Sequence, residues 1–161
     1  MARKRKIEGC PSAYDAALRY LTPKARTVRE VELKLDEGSY SEGEIMQTVD
    51  RLTEAGLLDD LKYARDFISS RLASKPVSRF RLSEQLRGHF VPEETIEEAL
   101  SEVDGDTEFN NAVEVAVKFM RQFESYPDDE EKRRRIYSRL QTRGFSHETI
   151  VNAMREAEER G

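Results

Sequence analysis

Apolar residues recur along this chain in one pattern, three times over. From Leu35, Tyr40 lies five residues on, Ser41 six, Ile45 ten and Val49 fourteen. From Leu86, Phe90 and Val91 lie four and five on, Pro92 six, Ile96 ten and Leu100 fourteen. From Leu140, Phe145 lies five on, Ser146 six, Ile150 ten and Met154 fourteen. Val31, Leu82 and Ile136 each stand four residues before the starting Leu, and the copies are offset by 51 and 54 residues. Agreement at this many offsets marks a tandem repeat of about 50 residues.

The spacing has a direct physical reading. Apolar residues at i and i+4 form the inner stripe of one helix, the five-residue step is a turn with an apolar plug, and i, i+4 resumes on the next helix. Ser41-Glu42-Gly43-Glu44 forms a capping box, Pro92 suits a first helical position, and Ser146, Ser78 and Thr27 are placed to cap helices. A further helix precedes each pair, over 13–21, over 60–74 with Asp59 as its cap, and over 107–125. Pro23, Pro76 and Pro127 break the chain once per repeat. The pattern predicts an all-α protein, an elongated array of three tandem three-helix repeats. The expected boundaries are a basic flexible arm at 1–12 and repeats at 13–56, 57–104 and 105–161.

Composition supports helices over sheet, since 37% of residues are charged, 8% are aromatic, and alternating apolar segments are missing. The single cysteine, Cys10, rules out an intramolecular disulfide, and the segment MARKRKIEGC has no apolar core of a signal peptide. A cytoplasmic protein without a membrane partner is expected, and a monomer, since an array with polar ends can stand alone.

Charge alters this picture locally. The net charge is −5, yet residues 62–87 hold seven basic residues against Asp66 and Glu84, a local +5. Arg65, Arg71, Lys75, Arg79, Arg81 and Arg87 form a candidate contact face for phosphates or carboxylates. Arg135, Arg139 and Arg143 fall at i, i+4 and i+8 and predict a second, outward stripe, while Arg3–Lys6 could act as an arm on DNA. The helix-turn-helix outline of LRGHFVPEETIEEAL raises the alternative of a tandem helix-turn-helix DNA-binding regulator. Glu93, Glu94, Glu97 and Glu98 oppose it, because four carboxylates facing phosphates are unfavourable.

Enzyme chemistry is not indicated. His89, His147 and Cys10 have no zinc spacing, and Asp59-Asp60 reads as helix-end chemistry. No Walker-type glycine loop is present, so no cofactor is expected. Phe67, Phe109 and Phe123 sit near core spacings, so the rings read as packing rather than as base-stacking platforms.

The stretch from Gly56 to Leu100 resembles the central segment of the RecX family, regulators of the bacterial RecA recombinase. The matching residues are Gly56, Leu57, Asp59, Asp60, Tyr63, Ala64, Phe67, Arg71, Arg81, Leu82, Leu86, Ile96, Ala99 and Leu100. The chain departs from the family at Ser74–Ser78, where the family linker often carries glycines. The resemblance implies a non-enzymatic protein that binds RecA and the RecA–DNA filament. It also implies inhibition of RecA's ATPase, strand exchange and coprotease activity, with direct single- or double-stranded DNA contact open.

Overall fold

A computed structural model describes residues 9–161; the basic run Arg3–Lys6 lies outside the described residues. Among the described residues the protein is all-α: α1 (Ala13–Leu21), α2 (Val28–Glu37), α3 (Glu42–Glu54), α4 (Asp60–Ser74), α5 (Arg79–Gly88), α6 (Glu93–Leu100), α7 (Gly105–Gln122), α8 (Asp129–Thr142) and α9 (His147–Arg160). These are three three-helix repeats in chain order. Two compact units divide them, one containing the described chain up to Arg65 together with Leu86–Ile96, the other Asp66–Gln85 with Glu97–Gly161. Among the described residues no helix is long and apolar enough to cross a membrane.

The repeat positions carry the cores. Leu35, Leu86 and Leu140 are buried, as are Val31, Leu82 and Ile136 before them and Ile45, Ile96 and Ile150 after them. In the first unit, Ala13, Ala17, Val31, Leu35, Tyr40, Ile45, Leu52 and Leu58 form one cluster. The second unit centres on α7, α8 and α9, with Val113, Ala116, Phe119, Phe123, Ile136, Leu140 and Ile150 among its buried members.

Two details of the repeat differ from the sequence reading. At the fourteenth position Val49, Leu100 and Met154 are only half-buried, whereas Thr48, Ala99 and Ala153, one residue earlier, are buried. A small residue there lets the helix pack closely, and counting bulky apolar residues overlooks it. The second difference is in the turn, where Val91 is the buried plug and Phe90 is exposed.

That turn is the same in all three repeats. Ser39, Phe90 and Gly144 have φ of 65°, 63° and 88°, the left-handed conformation. The N–H of the following residue reaches back to the starting Leu: Tyr40 to the Leu35 carbonyl at 3.3 Å, Val91 to Leu86 at 3.1 Å and Phe145 to Leu140 at 3.3 Å. A second bond tightens each turn, from Ser39 to Asp36 at 3.0 Å, from Phe90 to Arg87 at 2.9 Å and from Gly144 to Gln141 at 2.9 Å. This is the Schellman arrangement, which satisfies the last carbonyls of a helix.

Helix starts follow the expected chemistry with small shifts. Thr27 and Ser41 both form capping boxes, with Glu30 and Glu44 returning the bond. Ser146 accepts from the Thr149 N–H at 3.2 Å, Ser78 from Arg81 at 3.0 Å and Asp59 from Lys62 at 3.1 Å. Pro92 is one position earlier than expected, its carbonyl accepting the Ile96 N–H at 3.0 Å as the cap of α6. Helix α7 starts at Gly105 rather than 107 because Asp104 caps it, accepting from the Thr107 N–H at 2.7 Å; Phe123 ends it.

Candidate cationic binding site

The basic residues singled out in the sequence have two different fates. Some are spent on structure. Arg79 donates its backbone N–H at 2.8 Å and its Nε at 3.1 Å to the same Glu108 oxygen, and its Nη1 at 3.3 Å to the Val103 carbonyl. Arg87 forms a two-pronged pair with Glu93, at 2.9 and 2.7 Å. Arg135 donates from Nε at 3.1 Å and Nη2 at 2.8 Å to a single Glu131 oxygen, and lies over the Tyr126 ring. Arg65 is exposed on α4, in the first unit.

The others converge. Arg71, Lys75, Arg81, Arg139 and Arg143, all in the second unit, line one cavity of about 190 Å³ together with Val77, Gln85, Phe119 and Thr142. Two patches that are separate in the sequence are therefore one site. Five cationic residues line it and no acidic residue does.

A set of bonds between two turns builds the cavity. The Ser78 N–H donates to the Arg143 carbonyl at 3.0 Å, and Arg143 Nη1 donates to the Pro76 carbonyl at 3.0 Å. Arg81 spans Glu84 through Nη1 at 2.8 Å and the Thr142 carbonyl through Nη2 at 3.1 Å. Gly144 makes the approach possible, since a Cβ there would lie 2.5 Å from Ser78 Oγ and 2.9 Å from Arg81 Cβ.

Arg143 corrects the expected outward stripe. It is only 8% exposed, and its guanidinium lies 5.4 Å from the centre of the Phe119 ring. Arg139 remains exposed, 5.7 Å from the same ring and 6.0 Å from Phe123. Arg143 is the cap of α8, three residues after buried Leu140 and seven after buried Ile136, so helical spacing places it on the inner face of α8. Burial, and then the Arg139 charge, push the Arg143 guanidinium below its usual range, although an arginine stays cationic at neutral pH.

These charges are poorly compensated. Among the described residues no carboxylate lies within ion-pair distance of Arg71, Lys75, Arg139 or Arg143. Arg71 has its guanidinium 5.2 Å from the Phe67 ring centre. Gln85 Oε1 is buried with no donor. Such a cavity offers forked N–H donors and positive charge to an anion. Among the described residues there is also no group of three or more His, Cys, Asp or Glu able to hold a metal.

In the first unit the polar cluster is structural. Thr27 Oγ1 donates to the His89 carbonyl at 2.7 Å and accepts from the Glu30 N–H at 3.2 Å. Glu30 lies 3.3 Å from His89 Nδ1, and Asp60 Oδ1 accepts from the Val28 N–H at 3.0 Å. Asp60 therefore satisfies the first N–H of α2, while Asp59 caps α4. Burial, foremost, raises the Asp60 pKa, and the Val28 bond acts against it.

Fold and site together define a class, the all-α proteins of tandem three-helix repeats, here with a cationic cavity in which only Arg81 has a carboxylate partner among the described residues. Three family models match in chain order: the first three-helix domain of RecX at 13–52, the second at 59–100 and the third at 106–154. A "Regulatory protein RecX" of Prosthecochloris aestuarii is 33% identical over 144 residues, 89% of this chain and 92% of that protein. The protein of the same description from Chlorobium phaeobacteroides is 32% identical over 138 residues, 86% and 88% of the two chains. The crystal structure of RecX from Lactobacillus salivarius superposes with a TM-score of 0.79 at 25% identity, covering 91% of this chain and 95% of that one. The chain belongs to the RecX family, whose members carry the description of regulatory proteins.

Proposed function

We propose that this chain binds RecA and the RecA–DNA filament and restrains RecA's ATPase, strand exchange and coprotease activity. It would act in the cytoplasm, as a monomer and without catalysis of its own. Its repeats would divide at 13–56, 57–104 and 105–161, after a basic arm at 1–12. The observation that carries the reading is the match of all three family domains, in order, over 13–154. The cationic cavity supplies the contact chemistry, since a recombinase filament presents phosphates and carboxylates to whatever binds it.

Within this reading Arg71, Lys75, Arg81, Arg139 and Arg143 form the principal contact face. Arg79 and Arg135 of the same unit, and Arg65 and Arg87 of the first unit, contribute as separate contacts. Cosedimentation with RecA filaments on single-stranded DNA tests it. The wild type is expected to pellet with the filament, and Lys75→Glu/Arg139→Glu to pellet less at equal helicity. Wild-type protein remaining in the supernatant under conditions where the filament pellets would overturn the reading.

A further inference from the structure

We infer that the cavity between the 76–78 and 142–144 turns is a receptor for one terminal phosphoryl group, that of a nucleotide or of a nucleic-acid end. The inference rests on the reading of this face as the working surface, but its test leaves RecA out, so the two can fail separately.

Unspent donors carry the inference. Arg71, Lys75 and Arg139 have no protein acceptor among the described residues for their side-chain N–H groups, and Arg143 donates only to the Pro76 carbonyl. A guanidinium has five donors, so most of those facing this cavity are open to a ligand. Four cations held together without a counter-charge repel one another, and Arg143 bears this while 8% exposed. An anion in the cavity removes both costs at once.

Charge and size then select the anion. A carboxylate brings one negative charge and two oxygens, leaving most of the excess uncompensated. A terminal phosphoryl group brings up to two charges and three oxygens, which suit guanidinium forks approaching from several sides. A phosphodiester brings one charge and needs the strand to enter and leave. A cavity of about 190 Å³, with the stacked and buried Phe119 and Arg143 in its lining, suits a small group that ends there.

The test is calorimetric titration of the full chain with inorganic phosphate and with ADP. Alongside it, fluorescence anisotropy uses one single-stranded oligonucleotide with and without a terminal phosphate. The expected result is one site per chain for at least one phosphoryl probe. It should weaken about tenfold or more in Lys75→Gln and in Arg139→Gln, the loss typical of one charge-assisted hydrogen bond. Arg134→Gln is the control, on the same helix with its side chain 75% exposed and outside the cavity. Both test residues are exposed, so these variants are expected to keep the wild-type circular dichroism. ADP binding places the phosphoryl group on a free nucleotide; preference for the phosphorylated oligonucleotide places it on a strand end. Binding of no phosphoryl probe, equal binding of the two oligonucleotides without phosphate or ADP binding, or unchanged binding in both cavity variants would overturn the inference.

Discussion

Gly144 shows how much of the site rests on single residues. Its φ of +88° and the 2.5 Å from a would-be Cβ to Ser78 Oγ leave no room for a side chain. Gly144→Ala should cost about 2 kcal/mol or more, combining the left-handed penalty with displacement of the turn that holds Arg143. Urea unfolding measures it, and a midpoint equal to the wild type would contradict the close approach. Phe90 occupies the equivalent position in the second repeat with an exposed ring and φ of 63°. Phe90→Gly is therefore expected to be stabilising by about 0.5–1 kcal/mol, the relieved strain exceeding the added freedom of the unfolded chain. Asp60 adds a pH dependence. Its folded pKa is raised, so the folded state holds the proton more tightly than the unfolded state. Its contribution is fullest below the unfolded carboxylate pKa and is lost as pH rises through the folded one. Asp60→Asn should remove that decline, seen as a flatter urea midpoint from acid to neutral pH; an unchanged slope would contradict it. At this scale the sequence was a partial guide. Thr27, Ser41, Ser78 and Ser146 were readable as caps because capping depends on local spacing. The inward face of Arg143 was readable, since it stands three residues after Leu140 and seven after Ile136, but its bond to the Pro76 carbonyl, 67 residues away in the chain, was not.

Among the elements, the Schellman turn is the unit that repeats. It ends α2, α5 and α8 identically and fixes where the following helix begins. The period of 51 and 54 residues revealed it because each turn places one apolar plug, Tyr40, Val91 or Phe145, at a constant step from a buried Leu. What the pattern could not show is which turns meet: the pairing of 76–78 with 142–144 is a tertiary event with no local signal. It turned two separate basic patches into one cavity, whereas the ion pairs of Arg87 with Glu93 and of Arg135 with Glu131 are local in sequence. Thr27 has a comparable role in the first unit, joining the start of α2 to the turn after α5 through the His89 carbonyl. Thr27→Ala should cost about 2–3 kcal/mol, from a lost cap and an unsatisfied part-buried carbonyl. Thr27→Ser keeps the hydroxyl and should retain most of that. Equal thermal midpoints for the two variants would show that the hydroxyl is not the cause.

For the whole molecule, the net charge of −5 conceals a cavity whose five cationic residues face no lining carboxylate. A partner should be held with strong salt dependence, because each phosphate contact releases condensed counterions. The choice of substitutions follows from the structure. Arg79 and Arg81 hold Glu108 and the Thr142 carbonyl, so reversing them would disturb folding as well as binding. Lys75 and Arg139 are exposed and have no carboxylate partner among the described residues, so reversing them tests contact alone. The most direct measurement is the rate of single-stranded-DNA-dependent ATP hydrolysis by RecA as this chain is titrated in, beside the folded Lys75→Glu/Arg139→Glu variant. The expected result is progressive inhibition by the wild type, at amounts well below one per RecA if it caps filament ends and near one per RecA if it occupies the filament groove, with weaker inhibition by the variant. An ATPase rate untouched by folded wild-type protein would contradict regulation of RecA, and equal inhibition by the variant would contradict the cavity as its contact face.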